Sequence, residues 1–383
     1  MSLYILVWLF LCVLSVKEAA VSEKMSKPTR AFWGCFLILT MMLVFRYGQG
    51  TDYFGYRYNY YKIPDFAITF PEYDVHGELG YNLLCNIFRV FHLPFESFIA
   101  FISVIQMCAM LAFYIRYQIA TPFALLLSVP TLYMTYFMSG IRQGVVIAVF
   151  LGILLPMLES KNYVGYVIGT LVCISFHSVA VVFILMPFVQ MFRRVSYLQV
   201  LVVLSWLGGL ILATPEGQML VQSFGISSLN FYLEQTSISL TASAERLALL
   251  GIVTWLYIKL EKCGKCNDTF RLAYSGYLLS MMIYGGLLWN SLVASRTAAV
   301  LRFLEIYLLA YGVRQMNRGS RYLAVIALLT LQTFMFFKNV TTAIQQGNYA
   351  VEIRMLNYPY VSVFTQEEIF GLREIPNKYI NIS

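Results

Sequence analysis

Continuous apolar runs separated by short polar turns make up most of the chain. Twelve stand out, at 3–16, 31–45, 96–115, 119–138, 141–157, 162–176, 178–192, 197–213, 246–260, 272–292, 297–313 and 321–338. The runs are unbroken rather than alternating, which predicts helices and excludes a barrel of two-faced strands. Several fall short of the ~20 residues that cross a ~30 Å hydrocarbon layer, so the pattern predicts an all-α polytopic membrane protein of about 10–12 transmembrane helices. It reads as a single multi-spanning domain over 1–383, with larger polar segments at 46–95, 214–245 and the tail 339–383. The first run has no basic residue before it and reads as a retained span, not a cleaved signal.

Composition agrees with this pattern: 59% of residues are hydrophobic and 12% charged, which excludes an ordinary soluble domain. Charge then sets the orientation. With the 17–30 turn on the inside, the inner connections hold fifteen basic and five acidic residues, a net of +10. Everything else holds twelve basic and fourteen acidic residues, a net of −2. The asymmetry places both termini and the three larger segments outside. The seven cysteines give no disulfide framework: five lie in or near apolar runs, and Cys263 and Cys266 form a Cys-x-x-Cys with no second ligand pair nearby.

Against this background, ionisable residues inside apolar sequence stand out. An ionisable side chain at mid-membrane costs roughly 2.5–3.5 kcal/mol on insertion scales, which makes it a functional candidate. Arg142, in Ser139-Gly140-Ile141-Arg142-Gln143, and His177, in Phe176-His177-Ser178, are two such residues. The turns at Glu159-Ser160-Lys161 and Arg193-Arg194 put both at the same outer depth. Arg46, Arg142, Arg296 and Arg302 all fall at outer ends of runs, and a guanidinium fork suits phosphate oxygens. The bland alternatives are snorkelling anchors or an internal pair such as Arg302 with Glu305. His177 is of a type that removes a proton near neutral pH. Asp52 and Glu78 are the candidate carboxylates, set against a salt bridge to Arg46 or Arg57 for Asp52 and helix capping for Glu78. His76 and His92 are weaker candidates. Aromatic, amide and acidic residues in 46–95 and 214–245 (Glu216, Gln218, Gln222, Asn230, Glu234 and Gln235 in the latter) fit carbohydrate binding. No P-loop or Gly-x-Gly-x-x-Gly fingerprint is present, which argues against a nucleotide-driven pump.

Four stretches then carry a resemblance. Phe45-Arg46-Tyr47-Gly48-Gln49-Gly50-Thr51-Asp52-Tyr53, Glu78-Leu79-Gly80-Tyr81-Asn82-Leu83-Leu84, Ser139-Gly140-Ile141-Arg142-Gln143 and Phe176-His177-Ser178 resemble, in order and spacing, the EpsG-like family of Wzy-type polysaccharide polymerases. The match covers about 30–195 well and continues loosely through Arg296 to Tyr307 and Asn357-Tyr358-Pro359-Tyr360. The resemblance implies a polymerase of undecaprenyl-pyrophosphate-linked repeat units at the outer face of the bacterial cytoplasmic membrane. Donor and acceptor would both be lipid-linked glycans, with a chain-length regulator as a candidate protein partner and no nucleic acid. No cofactor is expected, and no Asp-x-Asp offers a metal site. His177, or failing that Asp52 or Glu78, would be the base. Arg142, with Arg46, Arg296 or Arg302, would hold the pyrophosphate, and Ser139, Gln143 and Tyr53 would complete the substrate contacts. An O-antigen-type ligase and a lipid-linked oligosaccharide flippase or transporter are the rival readings. A membrane acyltransferase is a third, which would want the histidine on the inner side.

Overall fold

The structure is a computed structural model and describes residues 2–21, 28–62, 78–190, 194–223 and 238–376. In chain order its helices are α1 (Leu3–Val21), α2 (Arg30–Val44), α3 (Tyr53–Lys62), α4 (Leu79–Val90), α5 (Phe95–Arg116), α6 (Pro122–Phe137), α7 (Ile141–Glu159), α8 (Tyr163–Phe176) and α9 (Ser178–Val189). They continue as α10 (Val195–Leu212), α11 (Pro215–Ser223), α12 (Leu240–Lys262), α13 (Asp268–Gly286), α14 (Ser291–Arg302), α15 (Leu304–Arg314), α16 (Arg318–Gln345) and α17 (Glu368–Leu372). Among the described residues there is no strand, only isolated bridges at Arg46–Ser362 and Tyr349–Arg373. The chain is an all-α polytopic membrane protein.

Among the described residues, five helices are long and apolar enough to cross a membrane: Leu3–Ala20, α5, α7, α10 and α16. Four more (α2, α6, α8 and α9) are apolar but shorter. The apolar run at 297–313 is broken at Phe303 into α14 and α15 rather than forming one span. The polar segment 46–95 contains two helices, α3 and α4, whose aromatic side chains make them part of a core.

Contacts divide the chain into two compact units. The first comprises Met1–Met157, Leu171–Ser178 and Met316–Ser383. Here α7 packs against α5 so closely that a Cβ on Gly152 would lie 2.1 Å from the Ala109 carbonyl oxygen. Only a residue without a side chain permits that approach. Helix α6 opens into wide turns from Val129, where Pro130 has no N–H to give, and Asn339 on α16 donates to the Pro130 carbonyl at 2.6 Å. Trp8 of α1 stacks on Phe336 of α16 with ring centroids 4.7 Å apart. A second set of rings, Tyr53 and Tyr60 of α3, Tyr81 of α4 and Phe95 and Phe98 of α5, packs into one buried cluster. Aromatic pairs of this kind contribute about 0.5–1.5 kcal/mol each beyond their burial.

The second unit comprises Leu158–Thr170 and Val179–Gln315. Its centre is the packing of α10 on α13, where Gly209 meets Gly285 backbone to backbone and Trp206 donates to the Met281 carbonyl at 3.1 Å.

Candidate active site

Two glycines bring the site together. A Cβ on Gly80 would stand 2.2 Å from Ser175 Oγ, so the first turn of α4 lies directly on the last turn of α8. A Cβ on Gly144 would stand 2.5 Å from the Tyr136 carbonyl oxygen, so the start of α7 turns back tightly against the end of α6. Glu78, at the N-cap of α4, makes no capping bond through its side chain. Its carboxylate instead takes Arg142 Nη1 on Oε2 at 2.5 Å. The other oxygen faces His177 Nδ1 at 3.0 Å and accepts the Ser178 backbone N–H at 3.0 Å. Helix capping, the bland reading of Glu78, is therefore not what its side chain does.

Electrostatics follow from this geometry. Burial pushes the Glu78 carboxyl up, but the hydrogen bonds from His177 and the Ser178 amide, with the charge of Arg142, bring it down to about 2. A carboxylate of that acidity is an acceptor only at neutral pH, so the His177 Nδ1 facing it carries the proton. That tautomer leaves Nε2 as the basic nitrogen. Arg142 is held from below by Tyr81 and Tyr56, whose ring centroids lie 5.5 and 5.7 Å from its guanidinium carbon, and its Nε has no hydrogen-bond partner. Cation–π contacts of this kind hold the planar group in place.

Arg142 also lines a cleft of about 380 Å³, within the range of small-molecule sites. Thr51, Asp52, Tyr56 and Asn59 share its lining, and so do Asn348, Arg373 and Glu374 from the tail. His177 and Glu78 do not line it. Asp52 accepts from Thr51 Oγ1 at 3.0 Å, while Arg57 pairs with Glu96 at 3.8 Å. The loop that delivers Asp52 has positive φ at Gly48 and Gly50, and Thr51 N–H donates to Ser139 Oγ at 3.1 Å. Ser139 therefore anchors this loop.

The remaining expected site residues are placed elsewhere. Arg46 is buried and donates through Nη1 to the Leu43 carbonyl at 2.5 Å and to Ser103 at 2.8 Å. Tyr53 is buried among Tyr47, Phe54 and Phe95, and Gln143 is buried at the start of α7. None of the three lines the cleft. Arg296 and Arg302 belong to the second unit. Arg302 is buried and ion-paired with Glu245 and, at 3.3 Å, with Glu305, which is the internal pairing its spacing allowed. Arg246 joins them, 3.9 Å from Glu245 and 4.1 Å above the Tyr284 ring. His92 is exposed with φ of 53°. His76, Asn230, Glu234 and Gln235 lie outside the described residues. Sequence reading missed Tyr56, Asn59 and Tyr81, and the tail residues Asn348, Arg373 and Glu374. The Tyr53, Tyr56 and Asn59 spacing of three was the available signal for two of them.

Apolar helices and one carboxylate holding a guanidinium and an imidazole define a helical membrane protein with an Arg142–Glu78–His177 cluster. The EpsG family model matches residues 31–362, and the chain belongs to that family, whose members are Wzy-like polysaccharide polymerases. No curated protein and no solved structure matches the chain.

Proposed function

We propose that the protein polymerises undecaprenyl-pyrophosphate-linked oligosaccharide repeat units, transferring the growing glycan onto a new lipid-linked unit at the outer face of a bacterial cytoplasmic membrane. The observation that carries this reading is Glu78 binding Arg142 and His177 on its two oxygens. Glycosyl transfer needs a base for the acceptor hydroxyl and a cation for the departing pyrophosphate, and this arrangement supplies both.

In this mechanism His177 Nε2 takes the proton of the acceptor hydroxyl as its oxygen attacks the anomeric carbon of the donor. The bond from that carbon to the pyrophosphate oxygen breaks, and its electron pair leaves with the pyrophosphate. Arg142 meets the growing negative charge from the wall of the cleft that it lines. Glu78 acts as a positioning residue, fixing the His177 tautomer and facing the imidazolium as it forms. Asp52, beside Arg142 in the cleft, orients the acceptor sugar.

Purified protein in lipid nanodiscs, given lipid-linked repeat units from its host, tests this directly. Wild type should form polymer without a nucleotide sugar, and His177→Ala should lose about 10²–10⁴-fold in rate. Polymerisation by His177→Ala at the wild-type rate removes the base assignment.

A further inference from the structure

The tail after α16 is built into the cleft. Val363 N–H donates to the Phe45 carbonyl and Tyr47 N–H to the Val361 carbonyl, both at 2.9 Å, so the tail pairs with the chain entering the Gly48–Gly50 loop. Arg373 fastens the same loop a second time. Its Nη1 donates to the carbonyls of Gly48 at 2.7 Å and Gly50 at 3.2 Å, and its Nε to Gly347 at 2.7 Å. The guanidinium lies 5.4 Å from the Phe54 ring centroid and 5.7 Å from that of Tyr349. Glu374 N–H donates to the Asn348 carbonyl at 2.7 Å, which closes a short double-stranded turn along one wall. Gln346, Asn348 and Glu374 line the cleft with exposed side chains that make no hydrogen bond among the described residues. Asn348 is held at φ of 47°, a left-handed conformation that asparagine tolerates better than most residues.

Of this wall, Gln346 and Asn348 lie within the family match at 31–362, as do Asp52 and Arg142, whereas Arg373 and Glu374 lie beyond it. The charges differ in availability. Glu78 already balances Arg142, and Arg373 is 8% exposed with its donors on three carbonyls. Among the described lining residues the exposed charges are the carboxylates of Asp52 and Glu374, and the amides of Gln346 and Asn348 are exposed with them. Carboxylates and amides accept from hydroxyls, while a like-charged acidic sugar meets repulsion.

We infer that the tail over 346–376 is the sugar-selecting wall of the cleft, and that it takes an uncharged, hydroxyl-rich ring at the non-reducing end of the acceptor repeat unit. Gln346, Asn348 and Glu374 bind the ring, and Arg373 is a positioning residue that holds the wall to the Asp52 loop. This inference rests on the polymerase reading and names the substrate class of its cleft.

The experiment measures initial rates in nanodiscs against the concentration of the host's lipid-linked repeat unit. Asn348→Ala and Glu374→Gln should each raise KM about tenfold, with a much smaller effect on kcat, as expected for lost binding contacts. Arg373→Ala should raise KM as well, and Arg373→Lys should restore little of it, because an ammonium cannot reproduce the fork. Melting temperatures of Asn348→Ala and Glu374→Gln should stay close to wild type, whereas Arg373→Ala, which strips three carbonyls of their donor, should melt lower. A fall in kcat with KM unchanged in the tail variants overturns the selecting wall while leaving polymerisation intact. Mass spectrometry of the repeat unit should find an uncharged sugar at its non-reducing end, and an acidic sugar there also overturns the inference. If wild type forms no polymer, the polymerase reading falls and retention of the repeat unit by immobilised protein decides the wall. Equal retention by wild type and a Gln346→Ala/Asn348→Ala double variant then overturns it, and loss in the variant supports it.

Discussion

Glu78 ties the site together, and its removal has consequences that separate its roles. Glu78→Gln keeps the shape but takes away the charge facing Arg142 and the strong acceptor for His177 Nδ1–H. Hydrogen bonds to charged groups contribute about 1.5–3 kcal/mol each, so the variant should lose stability of that order, measured by thermal unfolding in detergent. Its catalytic rate should fall further than Asp52→Asn does, because an amide presents either an oxygen or an N–H to the imidazole and no longer enforces the basic tautomer. The pH dependence follows from the lowered carboxyl. A carboxylate brought from its ordinary value of about 4.3 down to about 2 stabilises the fold fully above the higher value. That contribution is lost as pH falls from there through about 2. Wild type should therefore show an acid limb in its melting temperature below about pH 4.3 that Glu78→Gln lacks. Arg142 and His177 were legible as residues because ionisable groups in apolar runs are conspicuous. Their shared carboxylate was named from sequence only as one of several candidates, since nothing local in Glu78-Leu79-Gly80 says that the side chain turns away from its own helix. Arg46 and Tyr53 belong to the same resembling stretch, yet both are buried outside the cleft lining. A motif gives proximity in sequence and not the direction of each side chain.

The helices meet through glycines, and this is where backbone contact can be tested. Gly144→Ala places a methyl about where the Tyr136 carbonyl oxygen stands, at 2.5 Å, and backbone cannot swing aside as a side chain can. Overpacking of this kind costs about 1–3 kcal/mol and should move Arg142 with it, so both melting temperature and activity should fall. Gly152→Ala, against the Ala109 carbonyl at 2.1 Å, lies in the middle of α7. It should lower stability comparably while depressing activity far less, which distinguishes a packing defect from a displaced site. Apolar periodicity located α7, α8 and α10 nearly to the residue, because their ends coincide with charged turns. It merged α14 and α15 into one span, because the break at Phe303 is an apolar residue that a hydropathy pattern passes over. The helix after Glu78 was expected from the sequence, but α3 was missed for a related reason: rings such as Tyr53 and Tyr60 are buried within an aromatic cluster, and Tyr-rich sequence reads as interface or loop.

For the molecule as a whole, class and family follow from long-range features that sequence carries well: apolar length, charge asymmetry and the spacing of a few motifs. The contribution of the tail did not follow, because residues 346–376 reach the Gly48–Gly50 loop from some 300 positions away. The orientation proposed from charge places Cys263 on the cytoplasmic side and Glu374 on the other. A membrane-impermeant maleimide should therefore label Cys263 in inverted vesicles but not in intact cells, and a cysteine introduced by Glu374→Cys should behave in the opposite way. Labelling of both from the same side would contradict the topology on which the outer-face site depends.

The central claim is that Arg142, seated by Glu78 beside the cleft, drives chain growth rather than export or attachment. The most direct measurement deletes the gene in its host and compares surface glycans by gel after returning either wild type or Arg142→Ala. With Arg142→Ala, the long-chain ladder should disappear while single repeat units are still exported and attached. A ladder that persists contradicts the role of Arg142, and loss of single units with build-up of lipid-linked precursor contradicts polymerisation itself.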